Sequence, residues 1–363
     1  MLDYTNSTLR LSAHQSLSSK TQWISPSNLA LIKYWGKYGR QLPRNPSISF
    51  TLDTAATTTT LSYRTKEKSS EEILLDFKFG GSSNEAFRAK LIKFLNSIAD
   101  VFPFLTQLEF FVESSNSFPH SAGIASSASS MSALALCLCT VEKEIFGTLT
   151  SKEAFYQKAS YVARLGSGSA CRSVYDTMAV WGSTPEVVGS SDLYAVPFGD
   201  QLHEIYRDFH DDILIVSKGE KSVSSSAGHG LMEGNIFAKN RYAQANTRFA
   251  DLQIALKNGD LEAFGNITEN EALTLHALMM TSEPSYILMR PNTLAQIELL
   301  REFREETKLP VYFSLDAGPN LHLLYPDNIA KPVQDFIQSA LLPLCEKGEI
   351  IKDRAGKGPQ EVR

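Results

Sequence analysis

Cysteine is scarce in this chain, with four among 363 residues: Cys137, Cys139, Cys171 and Cys345. Cys137 and Cys139 lie in the apolar run Ala133–Cys139, where the expectation is buried core thiols in a reducing compartment. The seven histidines are scattered. No His or Cys pair has the spacing of a metal site. No run approaches the ~18 apolar residues of a membrane span. The first ten residues, Met-Leu-Asp-Tyr-Thr-Asn-Ser-Thr-Leu-Arg, lack the apolar stretch of a signal peptide, so cytoplasmic residence is expected. Basic excess is absent too: 35 Lys and Arg stand against 40 Asp and Glu, a net charge of -5. That argues against a nucleic-acid-binding face. An anionic ligand would need a pocket with a local cluster of cations and backbone N–H groups.

What is present suits a globular protein. Hydrophobic residues make up 43% and charged residues 21%. The length fits about two domains. Residues 1–20 are polar and serine-rich and read as a flexible tail. Segments 47–52, 57–63, 73–79 and 108–112 read as strands. Phe87, Leu91, Phe94 and Ile98 recur at helical spacing, predicting a helix over 84–99. An apolar helix is expected from Ser126 to Val141. A second should start at a capping box of Thr150 and Glu153 and run to Leu165. Beyond a boundary near 205, a strand is expected at 213–216. Helical stretches follow at 228–257, 261–279 and 291–307, then strands at 311–315 and 321–324, a helix near 330–344 and a strand at 348–352. There is no internal repeat. Grouped strands and helices in this order indicate α+β. The expected domains are 21–205 and 206–363.

Four stretches have residue types suited to phosphate chemistry, each with a plain structural alternative. Pro119–Ala128 is a small-residue loop opening a helix. Its free N–H groups and the Ser126 and Ser127 hydroxyls suit phosphate or Mg2+, although the Gly-Lys-Ser/Thr ending of a Walker A loop is missing. The alternative is a serine-rich helix start packed on a sheet. Gly166–Ala170 precedes Arg172, which either grips a phosphate or lies on the surface beside a tight turn. Asn28–Lys37 places Lys33 and Lys37 around Tyr34 and Trp35; the alternative is a core strand with snorkelling lysines. Asp316 stands between a strand end and Gly318-Pro319, as a turn residue or a buried catalytic carboxylate.

Taken together, these stretches resemble the diphosphomevalonate decarboxylases of the GHMP small-molecule kinase superfamily. The resemblance rests on Ser25–Lys37 with Leu42–Ser49, Gly123–Ala128, Gly166–Arg172 and Asp316–Asn320, in that order, and spans residues 22–355. It implies a two-lobed GHMP kinase-like fold, with a ribosomal-protein-like N-terminal lobe, a ferredoxin-like C-terminal lobe and the active site between them. It also implies ATP-dependent phosphorylation of the 3-hydroxyl of mevalonate 5-diphosphate, followed by loss of phosphate and CO2. Asp316, Lys33 and Asn28 would be catalytic. Tyr34, Lys37, Ser167, Ser169 and Arg172 would hold the diphosphate. Gly123, Ala125, Ser126 and Ser127 would hold ATP, the two serines near Mg2+. A homodimer is expected, with no nucleic-acid or membrane partner. His120, Ser121 and Ser130 depart from the family pattern. A further arginine used by many members has no clear counterpart, Arg88 being the candidate. The competing readings are a related kinase or decarboxylase acting on mevalonate or its 5-phosphate, and a non-catalytic protein on the same fold.

Overall fold

Alternating, threonine-rich sequence favours extended chain. The computed structural model, which describes residues 4–12, 15–68, 70–118, 124–219 and 223–362, builds its larger sheet on such segments. Strand β1 (Ser18–Ala30) precedes a small hairpin of β2 (Lys37–Tyr38) and β3 (Leu42–Pro43). Then come β4 (Ser47–Thr65), β5 (Leu74–Phe79), β6 (Ser82–Ser83), β7 (Leu108–Asn116), β8 (Met178–Trp181) and β9 (Ala195–Pro197). The second sheet holds β10 (His210–Leu214), β11 (Tyr312–Leu315), β12 (Leu321–Tyr325) and β13 (Ile350–Ile351), in the order β11-β12-β10-β13. The last strand, β14 (Gln360–Val362), returns to the first sheet, whose order is β14-β1-β4-β7-β5-β6 with β8 and β9 added beside β4. Its pairings are antiparallel except β5 with β7.

The helices are α1 (Glu85–Ser97), α2 (Ser126–Phe146), α3 (Lys152–Gly166), α4 (Ser225–Gly230), α5 (Ala238–Asn258), α6 (Leu261–Met280), α7 (Pro291–Thr307) and α8 (Ala330–Phe336). Helix α2 packs on β1, β4 and α3, and α6 packs on β11. Leu29, Ile48 and Phe50 from the first sheet share a core with Phe249, Leu252 and Phe264 from α5 and α6. This shared core fixes the two lobes to each other, and the architecture is the α+β one expected. All four cysteines are buried and unpaired. Among the described residues no helix is long and apolar enough to cross a membrane.

Four expectations need correction. The polar N-terminus is not a loose tail throughout: Leu9 and Leu11 join the core, and Tyr4 donates to Gln157. Two leucines two positions apart gave the segment something to bury. The strands expected at 47–52 and 57–63 are one strand, whose ladder with β1 is interrupted between Thr51 and Ala56. The Asp353 carboxylate accepts from Asp53, Thr54 and Ala55 there, at 2.7–3.0 Å. The cap of α3 is Ser151, not Thr150: its hydroxyl accepts from Ala154 N–H. The stretch 228–257 is not one helix. It breaks between α4 and α5, where Gly230 and Gly234 weaken helix and Gly234 adopts φ +80°.

Candidate active site

The loop leaving β1 and the turn after β11 meet across the interface between the lobes. Lys33 Nζ lies 2.9 Å from Asp316 Oδ1, with Lys33 almost fully buried and Asp316 partly open. Asp316 and Lys33 share one cleft with Asn28, Tyr34, Lys37, Ala125, Ser127, Ser167, Ser169 and Arg172. Ten of the twelve residues singled out from sequence are thus neighbours around one space. Ser126 is not among those lining residues; it opens α2, and its carbonyl accepts from Ser129. Gly123, with His120 and Ser121, lies outside the described residues. Arg88 stays out of the cleft: it donates to Leu75 O and pairs with Glu85 on α1.

Each cation in the cleft has a different setting. Arg172 is buried and donates to Ser49, Ser47 and Asn28, with no ion pair among the described residues. Burial lowers its pKa. A buried cation held by neutral oxygens is prepared for an incoming anion. The surface-arginine alternative is therefore wrong. Lys37 is bonded only to Gln41 among the described residues, and partial burial lowers its pKa. The Tyr34 hydroxyl is buried with no hydrogen-bond partner among the described residues, and burial raises its pKa. It faces Gly168, where a Cβ would come within 2.9 Å of the hydroxyl oxygen.

The two reacting-side residues are fixed from behind by groups the sequence did not single out. Glu271 on α6 is fully buried and accepts from the Lys33 backbone N–H at 2.9 Å. It also pairs with Arg241 and Arg248 of α5. Burial pushes the Glu271 carboxyl up, but Arg241 and the further hydrogen bonds from Arg248 and Lys33 outweigh it, and its pKa falls. Arg241 and Asn45 both donate to the Lys33 carbonyl. On the other side, His276 of α6 donates to the Asp316 carbonyl at 3.1 Å. The only signal for Glu271 was an acid on the apolar side of a helix, with Arg241 and Arg248 seven apart on the preceding one. His229, Ser225 and Ser226 of α4 also line the cleft, and nothing in their spacing pointed to it.

Helix α2 starts at the cleft rim. Ala125 there has a left-handed backbone (φ 42°), and no side chain among the described residues caps the helix. Ser127 Oγ lies 3.3 Å from Ser167 Oγ, joining the two small-residue loops. Among the described residues no three His, Cys, Asp or Glu side chains converge as a metal site. The hydroxyl oxygens present suit a hard cation such as Mg2+ that brings phosphate and water ligands with it. The ensemble is a carboxylate and ammonium pair between the start of α2 and the Gly166–Arg172 turn.

Residues 25–194 match the diphosphomevalonate decarboxylase-like N-terminal domain, and residues 212–361 match the mevalonate 5-diphosphate decarboxylase C-terminal domain. The chain is 30% identical to the diphosphomevalonate decarboxylase of Ganoderma lucidum, over 90% of this chain and 82% of that one. It is 29% identical to that of Bos taurus, over 82% and 74%. A complex of MDDEF with MVAPP, AMPPCP and magnesium superposes with a TM-score of 0.79 at 28% identity, covering 96% of this chain and 100% of that one. The mevalonate diphosphate decarboxylase of Staphylococcus aureus superposes with a TM-score of 0.81 at 26% identity, covering 96% and 99%.

Proposed function

The chain belongs to the diphosphomevalonate decarboxylase family, and from that premise we propose that its cleft turns mevalonate 5-diphosphate and ATP into isopentenyl diphosphate, ADP, phosphate and CO2. ATP is the co-substrate and Mg2+ accompanies it, the pair of groups represented by AMPPCP and magnesium in the related complex. Ser126 and Ser127 would hold the Mg2+, which would neutralise charge on the phosphates.

The observation that carries the reading is the Lys33–Asp316 pair facing the cleft beside Asn28 and Arg172. Asp316 orients the tertiary 3-hydroxyl and accepts its proton. Lys33 offsets negative charge on that carboxylate and on the phosphoryl group in transit. The hydroxyl oxygen bonds to the γ-phosphorus while the bond to ADP breaks. The carbon–oxygen bond then breaks with its electron pair leaving on phosphate, and the C–C pair of the departing carboxylate becomes the alkene. Arg172, Lys37, Tyr34, Ser167 and Ser169 hold the substrate's diphosphate. Ala125 and Ser127, with Gly123 outside the described residues, hold the ATP phosphates at the start of α2.

A two-domain division at 205/206 is part of the same reading, supported by strands of the second sheet that begin at His210. So is a cytoplasmic homodimer: four buried free thiols suit a reducing compartment, and dimerisation follows the family resemblance. The deciding assay measures ADP, phosphate and CO2 together on mevalonate, its 5-phosphate and its 5-diphosphate. Equal yields of the three from the diphosphate are expected. ADP with a stable phosphorylated acid would identify a kinase instead.

A further inference from the structure

His229 lies outside every stretch that the sequence singled out for chemistry, yet its ring packs on two aromatics and on a backbone N–H of the cleft. It sits on α4 with its ring between Tyr34 and Trp35, at centroid distances of 4.2 and 4.7 Å. The Gly36 N–H donates to its Nδ1 at 3.0 Å. An accepting Nδ1 places the proton of the neutral ring on Nε2. Burial, with Lys37 adding to it, lowers the His229 pKa to about 3, so the ring stays neutral.

The other ring nitrogen is the informative one. Nε2 makes no hydrogen bond to the described residues and is not among the sealed, unpartnered buried atoms. His229 lines the same space as Tyr34, Lys37 and Ser167. A ring wedged between two aromatics, with one nitrogen tied to the backbone, therefore offers its single N–H to the cleft.

We propose that His229 is a substrate-binding residue, donating Nε2–H to an anionic phosphate oxygen of the substrate beside Lys37. This rests on the reading that the cleft holds a diphosphate there. A neutral donor adds a directed hydrogen bond without adding charge, so it sharpens recognition where Lys37 supplies attraction. Its fixed tautomer means the donor does not switch off across the working pH range.

Two isosteric variants separate this role from a structural one. His229→Asn keeps an acceptor where Nδ1 stood, so it preserves the Gly36 bond and removes the cleft donor. His229→Gln extends an amide N–H to the Nε2 position and forfeits the Gly36 bond. With saturating ATP and Mg2+ and mevalonate 5-diphosphate varied, H229N should raise KM roughly tenfold with kcat little changed, the worth of one hydrogen bond to a charged group. H229Q should restore most of the loss, and the KM ratio of H229N to wild type should be flat from pH 6 to 8. The reverse order, with Asn rescuing and Gln failing, would show that His229 only supports Gly36 and would overturn the proposal. So would an unchanged KM in H229N. Failure of the parent reading is distinct: wild-type protein would release no CO2 from mevalonate 5-diphosphate at all.

Discussion

Lys33 and Asp316 stand 283 positions apart in the chain, yet their side chains meet at 2.9 Å in the cleft between the lobes. Lys33 is 2% exposed and Asp316 21%, so the ammonium is the buried partner and the carboxylate the one open to the cleft. Two elements of opposite lobes must be in register for this contact to exist. The pair therefore reports on the docking of the lobes as well as on chemistry.

Asp316→Asn keeps the size of the side chain and removes the proton acceptor. Turnover should fall by ~10²–10⁴-fold, the usual worth of a positioned acid or base. Binding of a non-hydrolysable ATP analogue, followed by calorimetry, should persist within a few fold. Near-normal kcat in D316N would refute the role given to Asp316.

Arg172 tests whether a residue can be useful and costly together. It is buried, it donates to Ser47, Ser49 and Asn28 and lies over the Trp181 ring, and it lacks an ion pair among the described residues. Desolvating a cation without a counter-ion costs free energy in the unliganded fold. Arg172→Met should raise KM for the acid substrate at least tenfold while thermal stability holds or rises. An unchanged KM would show that the cation does not meet the anion.

Much of the site was legible because phosphate chemistry writes itself locally. Gly166–Ala170, Ala125–Ser127 and the Lys33–Lys37 segment each put small or cationic residues at the end of a helix or strand, where the chain turns at the cleft. What escaped detection acts through tertiary contact. Glu271 sits within a helix whose other residues read as ordinary amphipathic pattern, and its meaning appears only when α5 brings Arg241 and Arg248 to it. His229 was hidden for the same reason, since its partner Gly36 is 193 positions away. In the fold, period-two and helical spacing located most elements. They missed β1, whose Ser25-Pro26-Ser27-Asn28 reads as turn, and also β2, β3, β6, β8, β9 and β14: β8 is buried on every residue and the others are two or three residues long, so no alternation marks them. The break in the β4 ladder is spanned by Asp353, some 300 positions distant, which accepts the backbone N–H groups there.

Glu271→Gln removes the charge that two arginines and the Lys33 N–H converge upon. Breaking a buried ion pair from one side leaves the guanidinium of Arg241 uncompensated, at a cost of ~3–5 kcal/mol. Denaturant unfolding should show that loss, and kcat should fall as the Lys33 loop loses its anchor. Stability within ~1 kcal/mol of wild type would mean that the network is dispensable.

Two buried histidines should bend the stability–pH curve in opposite senses. His229 is held neutral with a pKa of about 3 by burial and by Lys37. Below the unfolded value of ~6.5 the unfolded chain takes up a proton that the folded one refuses, so stability falls on acidification by ~1.4 kcal/mol per pH unit. His322 shows the reverse. Burial alone would lower its pKa, but Asp211, bonded to its Nδ1 at 2.7 Å, raises it, with Asp316 adding to the rise and Lys33 opposing it. Its contribution is complete below ~6.5 and is lost as pH rises through the folded value. Urea unfolding from pH 4 to 9 should therefore give a flatter acid limb for H229Q and a flatter alkaline limb for H322Q, each relative to wild type. Parallel curves for H322Q and wild type above pH 6.5 would mean that Asp211 does not hold His322 protonated. Parallel curves for H229Q and wild type below that pH would mean that the imidazole between Tyr34 and Trp35 accepts a proton in the folded state.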